Sequence, residues 1–388
     1  MNRWPIVPLE DFVAKKSGSV DPAKFPDEVF DLYSIPAFDA GEPDVRAGSE
    51  IGSAKQVVQP NDVLLSRIVP HIRRAWVVGE SRSRRLIASG EWIVFRSPQI
   101  RPRYLRYFLV GDPFHAQFMQ TVSGVGGSLL RAKATEVAKI KIPVPPLADQ
   151  ERIVKLLDEA DELRKLRTQA DRRTTDLIPA LFHEMFGDPL KKTSRLPILP
   201  LGEVVDFGSG ATPSKENPEF WNGRTPWVSP KDMKVEEITD AEDHVSAAAF
   251  EKSNLRLVPK DTVLIVVRGM ILAHTVPIRL CRVPVAINQD MKALLPKQPI
   301  EPEFLRWSLQ AQHQHLLSQV STAGHGTKKL DSDRLREMTI PVPPLALQNE
   351  FATRVSEIRA VQAEQSASRH RLENLFQSML HRAFQGEL

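Results

Sequence analysis

One stretch of this chain occurs twice. Ile142-Pro143-Val144-Pro145-Pro146-Leu147-Ala148, followed by Gln150, returns as Ile340-Pro341-Val342-Pro343-Pro344-Leu345-Ala346, followed by Gln348. An internal repeat constrains the fold before any local propensity does, because each copy must build the same supersecondary unit. Each copy closes a region of turns and short apolar runs and opens a long heptad-patterned segment. The chain therefore reads as globular part, proline-rich hinge and helix, twice over.

The duplication reaches back to the start of each half, where Trp4-Pro5-Ile6-Val7-Pro8-Leu9 has its counterpart in Leu196-Pro197-Ile198-Leu199-Pro200-Leu201. Further on, Asn61-Asp62-Val63-Leu64-Leu65-Ser66-Arg67 pairs with Lys260-Asp261-Thr262-Val263-Leu264-Ile265-Val266-Val267-Arg268. Both read as a turn and a buried strand that ends on an arginine. Pro102 and Pro302 then stand near the first turn of a helix in each half, a position where proline's missing N–H costs nothing. Glycine loops follow those helices at 124–128 and 324–329.

After the first hinge, Ile153, Leu156, Ala160, Leu163, Ala170, Leu177 and Leu181 recur in steps of three and four. After the second, Phe351, Val355, Ile358, Leu372, Phe376, Met379 and Ala383 do the same, with Gln362, Gln365 and Arg369 in mid-seam. Such spacing is a coiled-coil signature. A free helix of this length with an uncovered apolar stripe is not stable in water, so the two stripes are expected to cover each other. Pro179 should kink or end the first helix. The expected fold class is α+β: two similar globular domains, 1–146 and 188–344, joined by two long antiparallel coiled-coil helices, 147–187 and 345–388, about a pseudo-twofold axis. A rod of about thirty residues is roughly 45 Å long, the scale on which DNA half-sites are spaced.

At 388 residues, 41% hydrophobic and 26% charged, the chain can bury a core in each half without staples. Cys281 is the sole cysteine and can form neither an internal bridge nor a thiolate metal cluster. The first residues carry no apolar run like a signal peptide, and no stretch reaches the length of a membrane span, so the expected compartment is the cytoplasm. A net charge of +4 from 52 basic and 48 acidic residues permits a polyanionic partner without requiring one.

Catalytic motifs fail on spacing. Asp206-Phe207-Gly208-Ser209-Gly210 and Asn217-Pro218-Glu219-Phe220 are like a methyltransferase's glycine loop and amino-group box. Too few residues separate them for the doubly wound sheet that such loops require. Asp261 with Asp290-Met291-Lys292, or Asp232-Met233-Lys234, could be forced into a nuclease's Mg²⁺ set, but no such set recurs in both halves. His313 and His315 lack a second ligand pair for zinc. The chain is expected to be a non-catalytic protein without a metal or cofactor of its own.

DNA binding is better supported by composition at particular places. His71-Ile72-Arg73-Arg74 and Arg82-Ser83-Arg84-Arg85 cluster charge in the first half, and Gly326-Thr327-Lys328-Lys329 does so in the second. Phosphate neutralisation needs such clusters, and polar loops read base edges.

The run from Gly208 to Gly223, which contains Ala211-Thr212-Pro213-Ser214-Lys215, is followed by Pro226-Trp227-Val228-Ser229-Pro230-Lys231-Asp232-Met233. Together with Ala286-Ile287-Asn288-Gln289-Asp290-Met291-Lys292 and the two hinges, it resembles the DNA specificity subunit of type I restriction-modification systems, over essentially the whole chain. That resemblance implies two target recognition domains, each reading one half of an asymmetric bipartite site in double-stranded DNA, with the helices setting the unread gap. It further implies two modification subunits that bind S-adenosylmethionine and methylate a base, and two restriction subunits that use ATP and Mg²⁺ for translocation and cleavage. Expected DNA contacts are Arg67, Arg73, Arg74, Arg84, Arg85, Ser128, Arg131 and Lys133 in the first half. In the second they are Thr212, Ser214, Lys215, Lys231, Arg268, His325, Thr327, Lys328 and Lys329. The alternatives are a nuclease or methyltransferase acting alone, and a coiled-coil scaffold whose globular halves bind protein.

Overall fold

The computed structural model describes residues 4–15, 18–81, 83–124, 130–190, 196–323 and 326–388. The chain divides into two compact units, Met1–Ala170 with Gln365–Leu388, and Asp171–Glu364. Both dividing lines fall inside long helices, which run Leu147–Thr175 and Leu345–Gln385. Each unit thus owns the start of one long segment and the end of the other. The class is α+β, with short strands and helices in each globular part.

The proline-rich repeat is half of a two-stranded ribbon. In the first unit Ile6–Pro8 pairs antiparallel with Lys141–Pro143, Val7 opposite Ile142; in the second Ile198–Pro200 pairs with Thr339–Pro341, Leu199 opposite Ile340. Proline donates no ladder hydrogen bond and is tolerated where a strand has an open edge. The bond is made one residue later, where Val144 N–H donates to Pro5 O and Val342 N–H to Pro197 O, both at 2.8 Å. What reads as a hinge is therefore a closure that ties the end of each globular part to its beginning. The glutamine that follows each repeat locks it. Gln150, fully buried, donates to Pro145 O (2.8 Å) and accepts from Arg101 N–H (2.7 Å), and Gln348 donates to Pro343 O (2.8 Å) and accepts from Glu301 N–H (2.9 Å).

At the centre of each unit is a strand buried along its length, Val63–Ser66 and Thr262–Val266. In the first unit it lies between Ala75–Val77 and Trp92–Phe95, and a separate five-stranded sheet carries Val29–Tyr33 beside Arg85–Ala88. In the second unit the central strand belongs to a five-stranded sheet with Val205–Ser209 at one edge, beside a three-stranded sheet of Asp243–Val245, Thr225–Val228 and Ala286–Ile287. The turns before the central strands set their register. Asn61 (φ 70°) and Asp261 (φ 58°) both occupy the left-handed region. The match thus falls one residue away from the alignment by sequence: Arg67 is the counterpart of Val267, and Ile68 that of Arg268. A shift of one residue in a strand moves a side chain to the opposite face.

The helices Pro102–Val110 and Pro302–Gln310 pack each globular part onto its long segments. In the first unit Tyr104 and Phe108 lie against Phe384 (5.1 and 5.3 Å between rings) and Tyr107 against Phe376. In the second, Phe182, Phe186, Phe304 and Phe351 form one aromatic cluster. The long segments run antiparallel within each unit. Arg164 reaches Glu373 (2.6 Å) and lies over the Phe376 ring, and Arg152 reaches Leu388 O; in the second unit Gln362 donates to Thr174 O (2.8 Å).

The seam departs from the heptad reading at three leucines. Ile153, Phe351, Val355 and Phe376 are buried, Ala160, Ile358 and Met379 pack against the cores, and Leu372 is half-buried. Leu156, Leu163 and Leu177 are exposed, and Leu157, Arg164 and Ile178 take their places. Two leucines stand together at 156–157, and periodicity locates a helix face only to within about one residue. The globular helix covering the same face selects Leu157. The first long helix ends at Thr175 and a second runs Leu177–Phe186. Pro179 accounts for the break, since it offers no N–H to the Thr175 carbonyl.

In the second unit, ion pairs add to this packing. Glu303 and Arg306 are buried together at 3.0 Å, Arg359 of the long helix contacts Glu303 and Glu237, and Arg282 bridges Glu237 and Asp261.

Candidate nucleic-acid interface

In the second unit five segments separated in sequence meet along one edge, and backbone hydrogen bonds hold them there. Ala211 N–H donates to Ile287 O (3.0 Å), Asn288 N–H to Val228 O (3.0 Å), Val267 N–H to Asp290 O (2.8 Å) and Gly269 N–H to Lys328 O (3.0 Å). Arg268 and Lys329 form an antiparallel bridge. Thr212, Arg268, Thr327, Lys328 and Lys329 thereby lie on segments joined along this edge, although Thr212 and Lys329 are more than a hundred residues apart. Gly210 permits the close approach of its loop to the Ile287-Asn288 backbone: a Cβ there would stand 2.1 Å from Asn288 O. The Gly208-Ser209-Gly210 run is thus a packing requirement on an antiparallel strand, and Asn217 caps the short helix Pro218–Trp221 by accepting from Glu219 N–H.

The charges on this edge are only lightly engaged. Lys328 Nζ donates to Thr322 Oγ1 (2.9 Å), and Lys329 faces Asp331 at 3.2 Å, an ion pair with both partners substantially exposed. Pairs of that kind contribute little and are readily exchanged for a stronger anion. Arg268 and Lys215 have exposed side chains without an acceptor among the described residues. Thr212 Oγ1 is hydrogen-bonded to Gln289, and Ser214 O accepts from Trp221 Nε1 (3.0 Å). Lys231 stands apart in kind, held between Glu242 and Asp243 at 3.0 Å each, which raises its pKa. His325, like Ser128 in the first unit, lies outside the described residues.

Sequence reasoning quoted Gln289 and Lys292 within motifs without naming them as DNA contacts, and it passed over Arg336, which lies on the same side of the sheet. Lys292 donates to Ser209 Oγ (2.7 Å), and Arg336 lies over the Phe207 ring at 4.7 Å. Partial burial, and then the Arg336 charge, lower the pKa of Lys292. The only signal was the Ala286–Lys292 string itself.

The first unit repeats the framework with its cations more heavily paired. Arg67 N–H donates to Glu91 O, and Ile68 bridges Arg131 as Arg268 bridges Lys329. The Glu91 carboxylate lies between Arg67 (3.3 Å) and Arg131 (2.8 Å), and Lys133 is exposed, its ammonium group without a partner among the described residues. Arg73 binds Asp112 (2.6 Å) and Val110 O (3.0 Å). Arg74 is buried and forked on Asp39, both contacts 2.9 Å. Arg84 and Arg85 sit on the separate five-stranded sheet. Arg84 pairs with Asp31 (2.6 Å), and Arg85 forks on Glu28 and lies over Phe25 and Phe30. Hydrogen bonding to Arg85 and Arg74 holds Glu28 and Asp39 below the usual carboxylate range. The structure thus brings Arg67 and Arg131 together and places Arg84 and Arg85 on the other sheet.

No group of three potential metal ligands exists among the described residues, and no described helix is long and apolar enough to cross a membrane.

Two α+β units of one plan, each with a loop-built basic edge, are the architecture of a protein of two recognition domains, and comparison with known proteins names the family. The family model for the type I restriction modification DNA specificity domain matches residues 1–171 and 198–373, and the chain belongs to that family. The specificity subunit of the type I restriction enzyme EcoR124I/EcoR124II of Escherichia coli is 33% identical over 214 residues, 53% of this chain and 52% of that protein, so the match spans about half of that relative's length. Among solved structures, a chain from a type I R-M system studied for complex assembly and conformational transition superposes with a TM-score of 0.71 at 22% identity, covering 99% of this chain and 98% of that one. The S subunit of a type I system from M. genitalium superposes at 0.56 with 14% identity, covering 99% and 96%. At such identities these structures establish the fold.

Proposed function

We propose that this chain is the DNA-reading subunit of a type I restriction-modification complex in the cytoplasm. The domains 1–146 and 188–344 each read one half of an asymmetric bipartite site, and the helices of 147–187 and 345–388 set the gap and dock two modification subunits. Those subunits carry S-adenosylmethionine and methylate a base, and two ATP- and Mg²⁺-dependent restriction subunits complete the assembly. This chain's own part is recognition without catalysis. The observation that carries the reading is the loop framework built twice from the same backbone bonds, with cations on its edge each time.

Within that reading, Arg268, Lys328, Lys329, Thr327, Thr212, Ser214 and Lys215 are the contacts of the second domain, and Arg67, Arg131 and Lys133 those of the first. Arg67 and Arg131, which share Glu91, and Lys329, Arg73, Arg84, Arg85 and Lys231 must each exchange a carboxylate for a phosphate to take part. Arg74 holds its loop in place. Substituting both Lys328 and Lys329 by alanine should weaken binding to every sequence and lower the salt slope by about one for each phosphate left unneutralised, whereas Arg268→Ala should relax a single base position by roughly 1–3 kcal/mol. Methylation-sensitive sequencing of DNA from cells that express the chain with its modification partner tests the whole reading. A bipartite methylated motif supports it. Methylation or cleavage by the purified chain alone, or a modification complex with no sequence preference, would overturn it.

A further inference from the structure

The central strand of each unit runs into a tight loop, and the two loops share their backbone bonds. Ile72 N–H donates to Val69 O at 3.0 Å, as Leu272 N–H does to Gly269 O at 3.2 Å. At the matching position Gly269 has φ 129° and Val69 has φ 48°. A β-branched residue in the left-handed region is a true outlier. Strain of this kind persists only where the surroundings over-determine it, and it concentrates at ligand-binding segments.

Each loop exposes apolar side chains where a purely electrostatic reader would be polar. In the second unit Met270 is 64% exposed and Ile271 41%, while Leu272 is buried; in the first, a buried Pro70 and an exposed His71 stand at the first two positions, and Ile72, at the position of Leu272, is the apolar residue turned out, 42% exposed. Cations flank each tip. Arg268 precedes Met270, and Lys328 accepts the Gly269 N–H through its carbonyl; in the first unit Arg73 follows Ile72, and Arg131 bridges Ile68. Exposed methionine and isoleucine ringed by cations need a partner that offers apolar surface inside an anionic shell. Duplex DNA does so at its base steps, and apolar wedges of these residue types part such steps in known modes of binding.

We infer that the two loops are wedges. Met270 and Ile271 of the second unit, and Ile72 of the first, insert against a base step in their respective half-sites and unstack it, while Lys328 and Arg131 hold the flanking phosphates. The inference rests on the DNA-reading function proposed above.

The full chain with its modification subunits is titrated onto the motif found by methylation sequencing, with 2-aminopurine placed in turn at each position of both half-sites. Wild type should raise the fluorescence at one step in each half. The double substitution Met270→Ala with Ile271→Ala should abolish that rise in one half only, and Ile72→Ala in the other, at saturating protein. Each should weaken binding to the motif at least tenfold while affinity for random DNA and its salt slope stay unchanged. Met270→Leu should keep the signal, and the exposed sites leave the melting temperature unaltered. A rise that persists in the variants at saturating protein, or no rise at any position with wild type, would overturn the wedge. So would loss of the modification subunits from the variants with the fluorescence intact, since the tips would then be protein contacts. Absence of any sequence-dependent binding by wild type defeats the DNA-reading function itself, and the wedge with it.

Discussion

Replacing Gln348 by leucine fills nearly the same volume and removes both hydrogen bonds that lock the second closure. The Pro343 carbonyl is buried and loses its donor, and the half-buried Glu301 N–H loses its acceptor. An orphaned buried backbone group costs about 1–3 kcal/mol, so the two together should destabilise the local structure by roughly 2–4 kcal/mol. At about 1.4 kcal/mol per factor of ten, the opening equilibrium of the segment should rise roughly 30- to 700-fold. A chain of two units need not unfold in one step, so the assay is native-state amide exchange on peptides spanning 299–304, which reports local opening directly. Gln150→Leu should act in the same way on the first unit, at the Arg101 amide. Unchanged exchange at 299–304, or a change of less than about threefold, would refute the view that this side chain closes the domain.

Phe182→Ala removes the ring that touches Phe186, Phe304 and Phe351, and should cost about 3–5 kcal/mol in urea denaturation of the second unit. Glu237 is held below the ordinary carboxylate value of 4.5, chiefly by its hydrogen bond to Arg282. Its folded-state pKa is depressed, so its contribution to stability is full above that ordinary value and is lost as pH falls through the folded one. Glu237→Gln should therefore lower the melting temperature near neutral pH and leave it nearly unchanged in strong acid, which thermal melts across that range will show. Cys281 is fully buried, and burial pushes its thiol pKa up. It should resist a disulfide reagent in the native protein and react with one equivalent once urea is added, followed by absorbance.

The duplication, the buried central strands, the helix starts at Pro102 and Pro302 and most of the seam were legible in the amino-acid sequence. These are local or periodic properties, and a residue type in a period carries its own physics. The partner of the proline-rich repeat was not legible as a partner, although both strands had been noticed: nothing local states that Val7 lies opposite Ile142. Nor could a heptad pattern choose between Leu156 and Leu157, because that choice belongs to the globular helix that covers the face.

The sequence by itself determined that this protein is two copies of one architecture, each ending in a long helix, and where its positive charge is concentrated. Only the tertiary structure decided which cations are available. Asp39, Glu28 and Asp31 engage Arg74, Arg85 and Arg84 from 35 to 57 residues away, while Arg268 and Lys215 meet no carboxylate among the described residues. Charge is a property of a residue, whereas its neutralisation depends on distance in space, which the chain specifies only once it has folded.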